Sequence, residues 1–315
     1  MAYKILVSEV VSETGLDYLR SRGYEIIYGT GTDAGIFSDE LSLCDAVIVR
    51  TAPCHKNVLE KCPNLKVIGK HGVGVDNIDL DYCRAHGIRV TNTPAANVTS
   101  VAEHTMALIM ACAKQIPYKA AEYKSGNYFI KDQCLSTEIS GKTLSLIGFG
   151  RIGSLVASMA VNGFGMRVIA YDPYLPADKK ISGVTLIREW DKVFEEGDFI
   201  SLHLPSTPET YKLVGSNEFR MMKRSAVIIN TARGTILDEN ALFQALKNEE
   251  ITGAGLDVSD PEPAETNNKL FSLPNVIMTP HCGGVTQDAM VRMALGAAQG
   301  IDAVLSDRRP QWPVV

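Results

Sequence analysis

Short apolar runs that alternate with helical patterns constrain the fold of this chain more than any other feature. The runs are YKILVSEV, YEIIYG, DAVIVR, LKVIGK and IRVTNTP, then TLSLIGFG, RVIAYDP, DFISLHLP, AVIINTARG, GAGLDV and NVIMTPH. They are rich in β-branched residues and almost continuously apolar, as parallel strands buried on both faces are. Because helix-like segments such as TGLDYLRSRG separate them, the pattern predicts an α/β protein with parallel sheets.

The two series of runs suggest two domains, as does the length of 315 residues. Between them, Ser100 and Glu103 have the S-x-x-E spacing of a capping box, so a long helix is predicted to begin there and Pro117 to kink or split it. We place the first domain boundary near residue 98. The segment VTQDAMVRMALGAAQGIDAVLSDRR is predicted to be one amphipathic helix with no strand after it.

Charge and composition argue against several classes of partner. The net charge is −5, and the only locally basic stretch, RRPQWP, is explained by a solvated tail, so no nucleic-acid or membrane-surface partner is expected. No signal peptide or transmembrane run is evident. The seven cysteines are scattered without a C-x-x-C pair, which favours reduced thiols in a cytoplasmic protein. The six histidines show no metal-ligand spacing, so no metal is expected.

A glycine-rich turn lies in the middle of the chain. Gly148, Gly150 and Gly153 form G-x-G-x-x-G between a predicted strand and a predicted helix, although any tight strand-to-helix turn can use glycines. Such a turn lets a pyrophosphate approach the helix N-terminus. Asp172 follows the third glycine by 172 − 153 = 19 residues, where a carboxylate can bind both ribose hydroxyls of NAD and repel the 2′-phosphate of NADP. The alternative interpretation is that Asp172 is only a turn residue at the end of a strand.

Three later strand ends carry groups suited to proton transfer and anion binding. They are Arg233 in INTARGT, Asp257 with Asp260 and Glu262 in LDVSDPEP, and His281 in MTPHCGG. The carboxyl ends of parallel strands share one rim, where ligands bind. An arginine can hold a carboxylate, a histidine can exchange a proton, and a nearby glutamate stabilises the imidazolium. Each residue taken singly has a structural alternative. Arg233 could cap a helix, Glu262 could be a solvated loop residue, and His281 could be a buried histidine whose hydrogen bonds are satisfied.

The order of these motifs resembles that of the D-isomer-specific 2-hydroxyacid dehydrogenases over essentially the whole chain, most closely the catalytic part of D-3-phosphoglycerate dehydrogenases. The matching stretches are GVGVDNID (72–79), NTPAANVTSVAEH (92–104), GKTLSLIGFGRIG (141–153), NTARGTILDENAL (230–242), GAGLDVSDPEP (253–263) and NVIMTPHCGG (275–284). The resemblance implies that His281 takes the hydroxyl proton as hydride leaves C2, that Glu262 tunes His281, and that Arg233 binds the substrate carboxylate and polarises the C2 oxygen.

The resemblance also implies the binding residues. Cofactor contacts are expected from Gly148, Gly150, Arg151, Ile152, Gly153, Asp172, Pro205, Thr231 and Asp257, with NAD as the cofactor. Substrate contacts are expected from the main chain of Val73 and Gly74, which would hold the carboxylate, and from Arg50 and Lys70, which would hold a second anionic group. The alternative for Arg50 and Lys70 is that they are simply charges on the rim.

The family's layout implies two Rossmann-like or flavodoxin-like parallel-sheet domains with a cleft between them. Residues 1–98 and 285–315 would form a discontinuous substrate-binding domain, and residues 99–284 the NAD-binding domain. A homodimer packed through helices at roughly 100–130 is expected. Because the sequence ends at Val315, the C-terminal regulatory domains of longer phosphoglycerate dehydrogenases are not expected.

The sequence indicates the class of reaction more directly than it indicates the substrate. A 3-phosphoglycerate dehydrogenase-like activity is favoured; the alternatives are reduction of hydroxypyruvate or glyoxylate, and oxidation of another anionic hydroxy acid such as a sulfonated one. A non-catalytic NAD sensor or corepressor is the alternative from another class, which the complete set of Arg233, Glu262 and His281 disfavours. His71 and His104 stand where small or apolar residues are expected, and Cys282 is interpreted as a small packing residue.

Overall fold

The computed structural model describes residues 2–176 and 179–315. The chain divides into two compact units. We call the first unit the part up to Asn97 together with Val285–Val315, and the second unit Val98–Gly284.

Strands and helices alternate along both units. The strands are β1 (Lys4–Val7), β2 (Glu25–Tyr28), β3 (Ala46–Val49), β4 (Val67–Lys70), β5 (Arg89–Thr91), β6 (Thr143–Ile147), β7 (Arg167–Tyr171), β8 (Val184–Leu186), β9 (Phe199–Leu202), β10 (Val227–Asn230), β11 (Gly253–Leu256) and β12 (Val276–Met278). The helices are α1 (Glu13–Ser21), α2 (Ala34–Leu41), α3 (Lys56–Leu59), α4 (Leu80–His86), α5 (Val98–Lys114), α6 (Ile116–Lys124), α7 (Ile130–Gln133), α8 (Arg151–Phe164), α9 (Trp190–Glu195), α10 (Ser216–Met221), α11 (Glu239–Lys247) and α12 (Gln287–Leu305). Two 3₁₀ turns, Gly234–Ile236 and Lys269–Ser272, complete the pattern.

The sheet of the first unit has the order β2-β1-β3-β4-β5, and every pairing is parallel. β3 and β4 are buried along their whole length, as their almost continuously apolar sequences predict, although β4 ends in Lys70. Helix α12, predicted as one helix, packs against α1 and β4. Its approach is close: a side chain on Gly15 would come within 2.6 Å of the Ala294 main chain, and one on Gly69 within 2.8 Å of Ile301.

The C-terminal segment differs from the sequence-based expectation. It was expected to be a solvated tail, yet Val314 N donates to Val90 O at 2.8 Å and Pro313 forms an antiparallel bridge to Thr91. Pro310 is buried. The segment therefore adds main-chain hydrogen bonds to the otherwise open edge of β5, and such edges are commonly covered in native proteins.

The sheet of the second unit has the order β12-β11-β10-β9-β6-β7-β8, also with parallel pairings throughout the described residues. The order reverses at β6, which lies between β9 and β7. Fully buried Phe194, Phe199 and Phe219 belong to its core. Strand β8 was not predicted, because its residues are partly exposed at the sheet edge and lack a continuous apolar run.

Helix α5 tests two local predictions. The capping-box prediction was wrong: the helix begins at Val98, and Ser100 lies inside its first turns with only 4% of its surface exposed. The predicted break at Pro117 is confirmed, because α5 ends at Lys114 and Gln115 takes a left-handed conformation (φ 53°) before α6. Within the described residues, no helix has the length and apolarity needed to cross a membrane.

Candidate active site

The glycine-rich turn joins β6 to α8 in the second unit. Gly148 has φ +93°, and a side chain there would come within 2.5 Å of His203 O. A side chain on Gly153 would come within 2.5 Å of Gly148 O, whereas one on Gly150 would meet none of the described residues within 4 Å. Packing within the protein therefore accounts for the first and third glycines. The second glycine borders open space, as expected if a ligand approaches the main chain there.

Asp172 lies beside this turn, one residue past β7. Its Oδ2 accepts a hydrogen bond from Phe149 N at 2.9 Å, and its Oδ1 accepts one from Tyr174 N at 3.0 Å. Within the described residues, no side chain caps helix α8, whose N-cap residue is Gly150. A helix N-terminus without a described side-chain cap, next to a carboxylate, is the arrangement expected of a dinucleotide site. The predicted contacts Arg151 and Ile152 are the first residues of this helix.

Two further predicted cofactor residues follow neighbouring strands. Pro205 comes after β9, and its carbonyl accepts a hydrogen bond from Thr210 Oγ1 at 2.7 Å. Thr231 comes directly after β10, and its hydroxyl lies 2.9 Å from that of Thr105 on α5, with both groups buried. The Thr231 hydroxyl therefore ties the end of β10 to α5.

Asn230, which the sequence reasoning missed, shapes the loop that carries Arg233. Asn230 is fully buried at the end of β10. Its Nδ2 donates to Arg233 O at 2.8 Å, and its Oδ1 accepts from Ala232 N at 3.0 Å. Arg233 Nη1 donates to Ala232 O at 2.7 Å. The sequence feature that could have identified Asn230 is an amide side chain at the end of a buried strand, because buried polar atoms need hydrogen-bond partners.

Asp257 is the centre of a buried hydrogen-bond network after β11. It is 2% exposed and accepts hydrogen bonds from Thr279 Oγ1 (2.6 Å), Cys282 N (2.9 Å) and Gly283 N (2.8 Å). His104 Nε2 lies 3.4 Å from its Oδ1. Burial by itself raises the pKa of Asp257, but the hydrogen bonds from His104, Thr279 and the main chain prevail and lower it. Asp257 is therefore held as a carboxylate.

His281 and Glu262 form the pair with the clearest capacity for proton transfer. His281 has φ +51°, its main-chain N donates to Asp257 O at 2.7 Å, and its Nδ1 is hydrogen-bonded to Glu262 Oε1. The two side chains are 44% and 40% exposed. Nε2 has no hydrogen-bond partner among the described residues. A histidine oriented through Nδ1 by a carboxylate, with Nε2 available, is the arrangement of a general acid or base.

The loops that follow β10, β11 and β12 touch one another. A side chain on Gly234, next to Arg233, would come within 2.0 Å of Ser259 O in the loop after β11. The hydrogen bond between His281 N and Asp257 O joins the loops after β11 and β12. Arg233, Glu262 and His281 therefore come from three contacting loops at the carboxyl ends of neighbouring strands.

In the first unit, Arg50 follows β3 in a loop that Glu9 organises. The Glu9 carboxylate accepts hydrogen bonds from the main-chain N of Arg50 (2.7 Å), Thr51 (2.8 Å) and Ala52 (3.2 Å). Burial raises the pKa of Glu9, but the hydrogen bonds from Thr51 and these N–H groups lower it below its ordinary value. Arg50 Nη1 donates to Val10 O at 2.9 Å.

Lys70 has a different setting from Arg50. It is 8% exposed, and its Nζ donates to Asn77 Oδ1 at 2.6 Å and to Arg50 O. Its ammonium therefore supports the loop that carries Arg50. That Lys70 also binds substrate stays a prediction.

The loop with Val73 and Gly74 is anchored to the end of β5. Gly72 N donates to Thr93 Oγ1 at 3.0 Å, and Asn92 Nδ2 donates to Val73 O at 2.8 Å. Val73 is 37% exposed and Gly74 is partly exposed. The anchored loop leaves its tip accessible, which suits the predicted contact between main-chain N–H groups and a carboxylate.

His104, Asp257 and Cys282 bring potential metal-ligand atoms within 4.8 Å of one another. The Asp257 oxygens already accept the hydrogen bonds described above, and the pKa of the Cys282 thiol is raised by burial and by Asp257. A thiol that resists deprotonation is a poor metal ligand. The cluster is better described as a hydrogen-bond network.

Comparisons with known proteins agree with this geometry. The family model "D-isomer specific 2-hydroxyacid dehydrogenase, NAD binding domain" matches residues 106–283. The chain is 41% identical to D-3-phosphoglycerate dehydrogenase of Methanocaldococcus jannaschii over 96% of its own length and 57% of that protein. It is 36% identical to glyoxylate reductase of Thermococcus litoralis over 98% of its own length and 96% of that protein.

Solved structures show the same likeness. A D-lactate dehydrogenase from Aquifex aeolicus, complexed with NAD and lactic acid, matches with a TM-score of 0.85 and 32% identity over 96% of each chain. The chain spans little more than half the length of several phosphoglycerate dehydrogenases it matches. The family match covers the glycine-rich turn, Asp172 and the loops of Arg233, Glu262 and His281. The chain therefore belongs to the D-isomer specific 2-hydroxyacid dehydrogenase family and contains its NAD-binding domain.

Proposed function

We propose that this protein is an NAD-dependent dehydrogenase of D-2-hydroxy acids. One observation carries the proposal: the His281–Glu262 pair and Arg233 occupy contacting loops of the same unit that holds the glycine-rich turn and Asp172. A dinucleotide site, an oriented proton acceptor and a carboxylate-binding cation are what oxidation of a hydroxy acid requires.

Each group has a defined part in the proposed reaction. His281 Nε2 takes the proton of the C2 hydroxyl, and Glu262 stabilises the imidazolium through Nδ1. Arg233 binds the substrate carboxylate and polarises the C2 oxygen. Asp257 positions His281 by accepting main-chain hydrogen bonds from Cys282 and Gly283 and offering its own carbonyl to His281 N. NAD, when bound, supplies the nicotinamide that accepts hydride from C2.

The first unit is proposed to bind the acid groups of the substrate. The Val73–Gly74 loop receives the carboxylate, and Arg50 receives a second anionic group, with Lys70 supporting the Arg50 loop. A 3-phosphoglycerate-like substrate has both groups, and relatives are named D-3-phosphoglycerate dehydrogenase. Other relatives are named glyoxylate reductase, so glyoxylate, hydroxypyruvate and a sulfonated hydroxy acid are the competing substrates.

A spectrophotometric panel tests the proposal. NADH formation or consumption is followed with D-3-phosphoglycerate, glycerate, sulfolactate, glyoxylate and hydroxypyruvate, for the wild type and His281→Gln. We expect turnover that falls at least about 100-fold in His281→Gln, the usual contribution of a general acid or base. NAD binding without turnover on any acid would instead support a sensor.

Arg50→Ala resolves the substrate class. We expect kcat/KM to fall for the phosphorylated substrate and to change little for glyoxylate. Arg224→Ala, at an exposed arginine of the second unit, is the matched control and should leave both values unchanged. Equal losses for both substrates in Arg50→Ala would contradict an anion site at Arg50.

We also propose a homodimer packed through the α5–α7 region. Apolar side chains in this segment and just after it are exposed, each between 54% and 76%: Ile116, Tyr123, Tyr128, Phe129 and Leu135. Exposed apolar side chains, among which Tyr123 contacts Tyr128 and Tyr128 contacts Phe129, are typical of interaction sites. Sedimentation of the wild type should give a dimer, and Leu135→Asp combined with Phe129→Ser should shift it to monomer.

The seven cysteines, all in the described part of the chain, are free thiols. We propose that the protein works in the cytoplasm, where thiols stay reduced. Thiol titration of protein taken directly from cells under acid quench should find all seven reduced.

A further inference from the structure

His104 on α5 contacts the hydrogen-bond network of Asp257, although it has no part in the reaction proposed above. Its side chain is 21% exposed, and its Nε2 lies 3.1 Å from Thr279 Oγ1 and 3.4 Å from Asp257 Oδ1. The ring also lies against Gly283, where a side chain would come within 3.1 Å of His104 Cδ2. A largely buried imidazole that meets the network beside the proton-transfer pair calls for an explanation.

The neighbouring groups fix the direction of the hydrogen bond that His104 makes. The Thr279 hydroxyl has one hydrogen, and it donates that hydrogen to Asp257 Oδ1 at 2.6 Å. Asp257 is a carboxylate, so its oxygens can only accept. Because both groups near Nε2 are acceptors toward it, His104 Nε2 must carry a hydrogen. Hydrogen bonds therefore run from His104 to Thr279 and from Thr279 to Asp257.

His104 also helps to keep Asp257 ionised. Burial raises the pKa of Asp257, and the hydrogen bond from His104 is the largest of the effects that lower it, ahead of those from Thr279, Gly283 and Cys282. A buried carboxylate needs such donors because it has lost its hydration. Removal of the His104 donor should therefore loosen the Asp257 side chain even when the other donors are intact.

Asp257 in turn holds the loop that carries His281. Its carboxylate accepts hydrogen bonds from Cys282 N and Gly283 N, and its carbonyl accepts one from His281 N at 2.7 Å. His281 has φ +51°, a conformation that residues other than glycine adopt infrequently. The conformation of this loop therefore depends on the hydrogen bonds that end on Asp257.

We propose that His104 is a positioning residue for the catalytic histidine: through Thr279 and Asp257 it fixes the loop of His281, so that Nε2 of His281 meets the C2 hydroxyl in a productive orientation. The inference rests on the proposed function, in which His281 transfers the proton. Loss of the His104 donor should slow the chemical step, because small misplacements of a catalytic group reduce rates strongly.

Two substitutions at His104 separate the donor from the ring. His104→Leu removes the donor, whereas His104→Gln retains an Nε2–H group. Stopped-flow absorbance follows a single turnover of bound NADH with saturating glyoxylate, and fluorescence titration gives the Kd for NADH. We expect the single-turnover rate to fall at least about tenfold in His104→Leu and to stay within about threefold of the wild type in His104→Gln. The Kd for NADH should change little in either variant.

The matched control applies the same two substitutions to His86, an exposed histidine on α4 of the first unit whose Nδ1 lies 2.9 Å from Tyr82 O. His86→Leu and His86→Gln should both keep the wild-type rate. A second route to the same lesion is Thr279→Val, which removes the hydroxyl between His104 and Asp257. If the groups act in series, the double variant His104→Leu, Thr279→Val should be no slower than the slower single variant.

Hydrogen exchange gives a readout that needs no turnover. Mass spectrometry of the peptide covering residues 276–284 reports on the main-chain N–H groups of His281, Cys282 and Gly283. In His104→Leu they should exchange about fivefold faster than in the wild type, the effect of losing one ordinary hydrogen bond. In His104→Gln the exchange should remain close to that of the wild type.

Several outcomes would overturn the inference. They are unchanged exchange in His104→Leu, equal single-turnover rates in His104→Leu and His104→Gln, a loss confined to NADH affinity, or losses that add in the double variant. Thr279→Val keeps the test available if His104→Leu fails to fold. Absence of turnover with every acid, together with the expected change in exchange, would instead refute the proposed function and leave the hydrogen-bond chain from His104 in place.

Discussion

Replacing Gly150 by alanine should separate cofactor binding from folding at the glycine-rich turn. Gly150 has φ −78° and ψ −156°, an extended conformation open to alanine, and a side chain there would have no atom of the described chain within 4 Å. Gly153 differs, because a side chain there would come within 2.5 Å of Gly148 O. The two glycines of one motif should therefore respond differently to the same substitution.

The expected free energies follow from these contacts. For Gly150→Ala, the reduced entropy of the unfolded chain contributes about 0.4–1 kcal/mol, which roughly offsets the poorer helix N-cap. For Gly153→Ala, crowding against the main chain should lower the free energy of unfolding by about 1–3 kcal/mol. In the NAD complex, the Gly150→Ala methyl group would hold the pyrophosphate away from the main chain. Loss of one charge-assisted hydrogen bond, about 2 kcal/mol, corresponds to a roughly 30-fold higher Kd.

Thermal unfolding and calorimetric titration with NAD measure the two effects. Gly163→Ala, in the same helix with no described atom within 4 Å of the added carbon, is the matched control; it should raise the free energy of unfolding by about 0.4–1 kcal/mol and keep the NAD affinity. Gly150→Ala should unfold within a few degrees of the wild type but bind NAD weakly. Wild-type NAD affinity in Gly150→Ala, or a loss of stability as large as in Gly153→Ala, would refute the reasoning.

Three further substitutions test other parts of the structure. In Gly234→Ala, the new methyl group would lie 2.0 Å from Ser259 O and displace the adjacent loop that carries Arg233. We expect kcat/KM in a steady-state assay to fall at least about tenfold. Unchanged kinetics would contradict this expectation. Asp172→Ala should raise the Kd for NAD much more than that for NADP, as titration with each cofactor would show. His71 and His203 have pKa values lowered to about 4 by burial, so they are neutral when folded and protonated when unfolded below pH 6.5. Stability should therefore fall as pH decreases from 6.5 to 4, by up to about 3 kcal/mol for His71, and urea unfolding of His71→Gln should show a shallower fall.

Much of the fold follows from local pattern in the sequence. The apolar runs predicted every strand except β8, whose partly exposed edge position weakens the pattern. The long helix splits near Pro117, as the sequence predicted, because a proline restricts the main chain beside it. The left-handed conformation of Gln115 at this break was not predicted. The start of α5 was predicted two residues late, since Ser100 is buried within the helix instead of capping it.

The candidate site likewise has features that the sequence determined and features that only the tertiary structure decided. The sequence by itself determined which residues stand at the strand ends, because the carboxyl ends of parallel strands share a rim. Only the tertiary structure decided what those residues touch. Asn230 holds the Arg233 loop, and Lys70 is bound to Asn77 and the Arg50 carbonyl. The buried ring of His71 has no hydrogen-bond partner among the residues that the structure describes. Likewise, the C-terminal segment pairs with β5 instead of remaining solvated. These contacts join residues distant in sequence, so their partners exist only once the sheets and α12 have assembled.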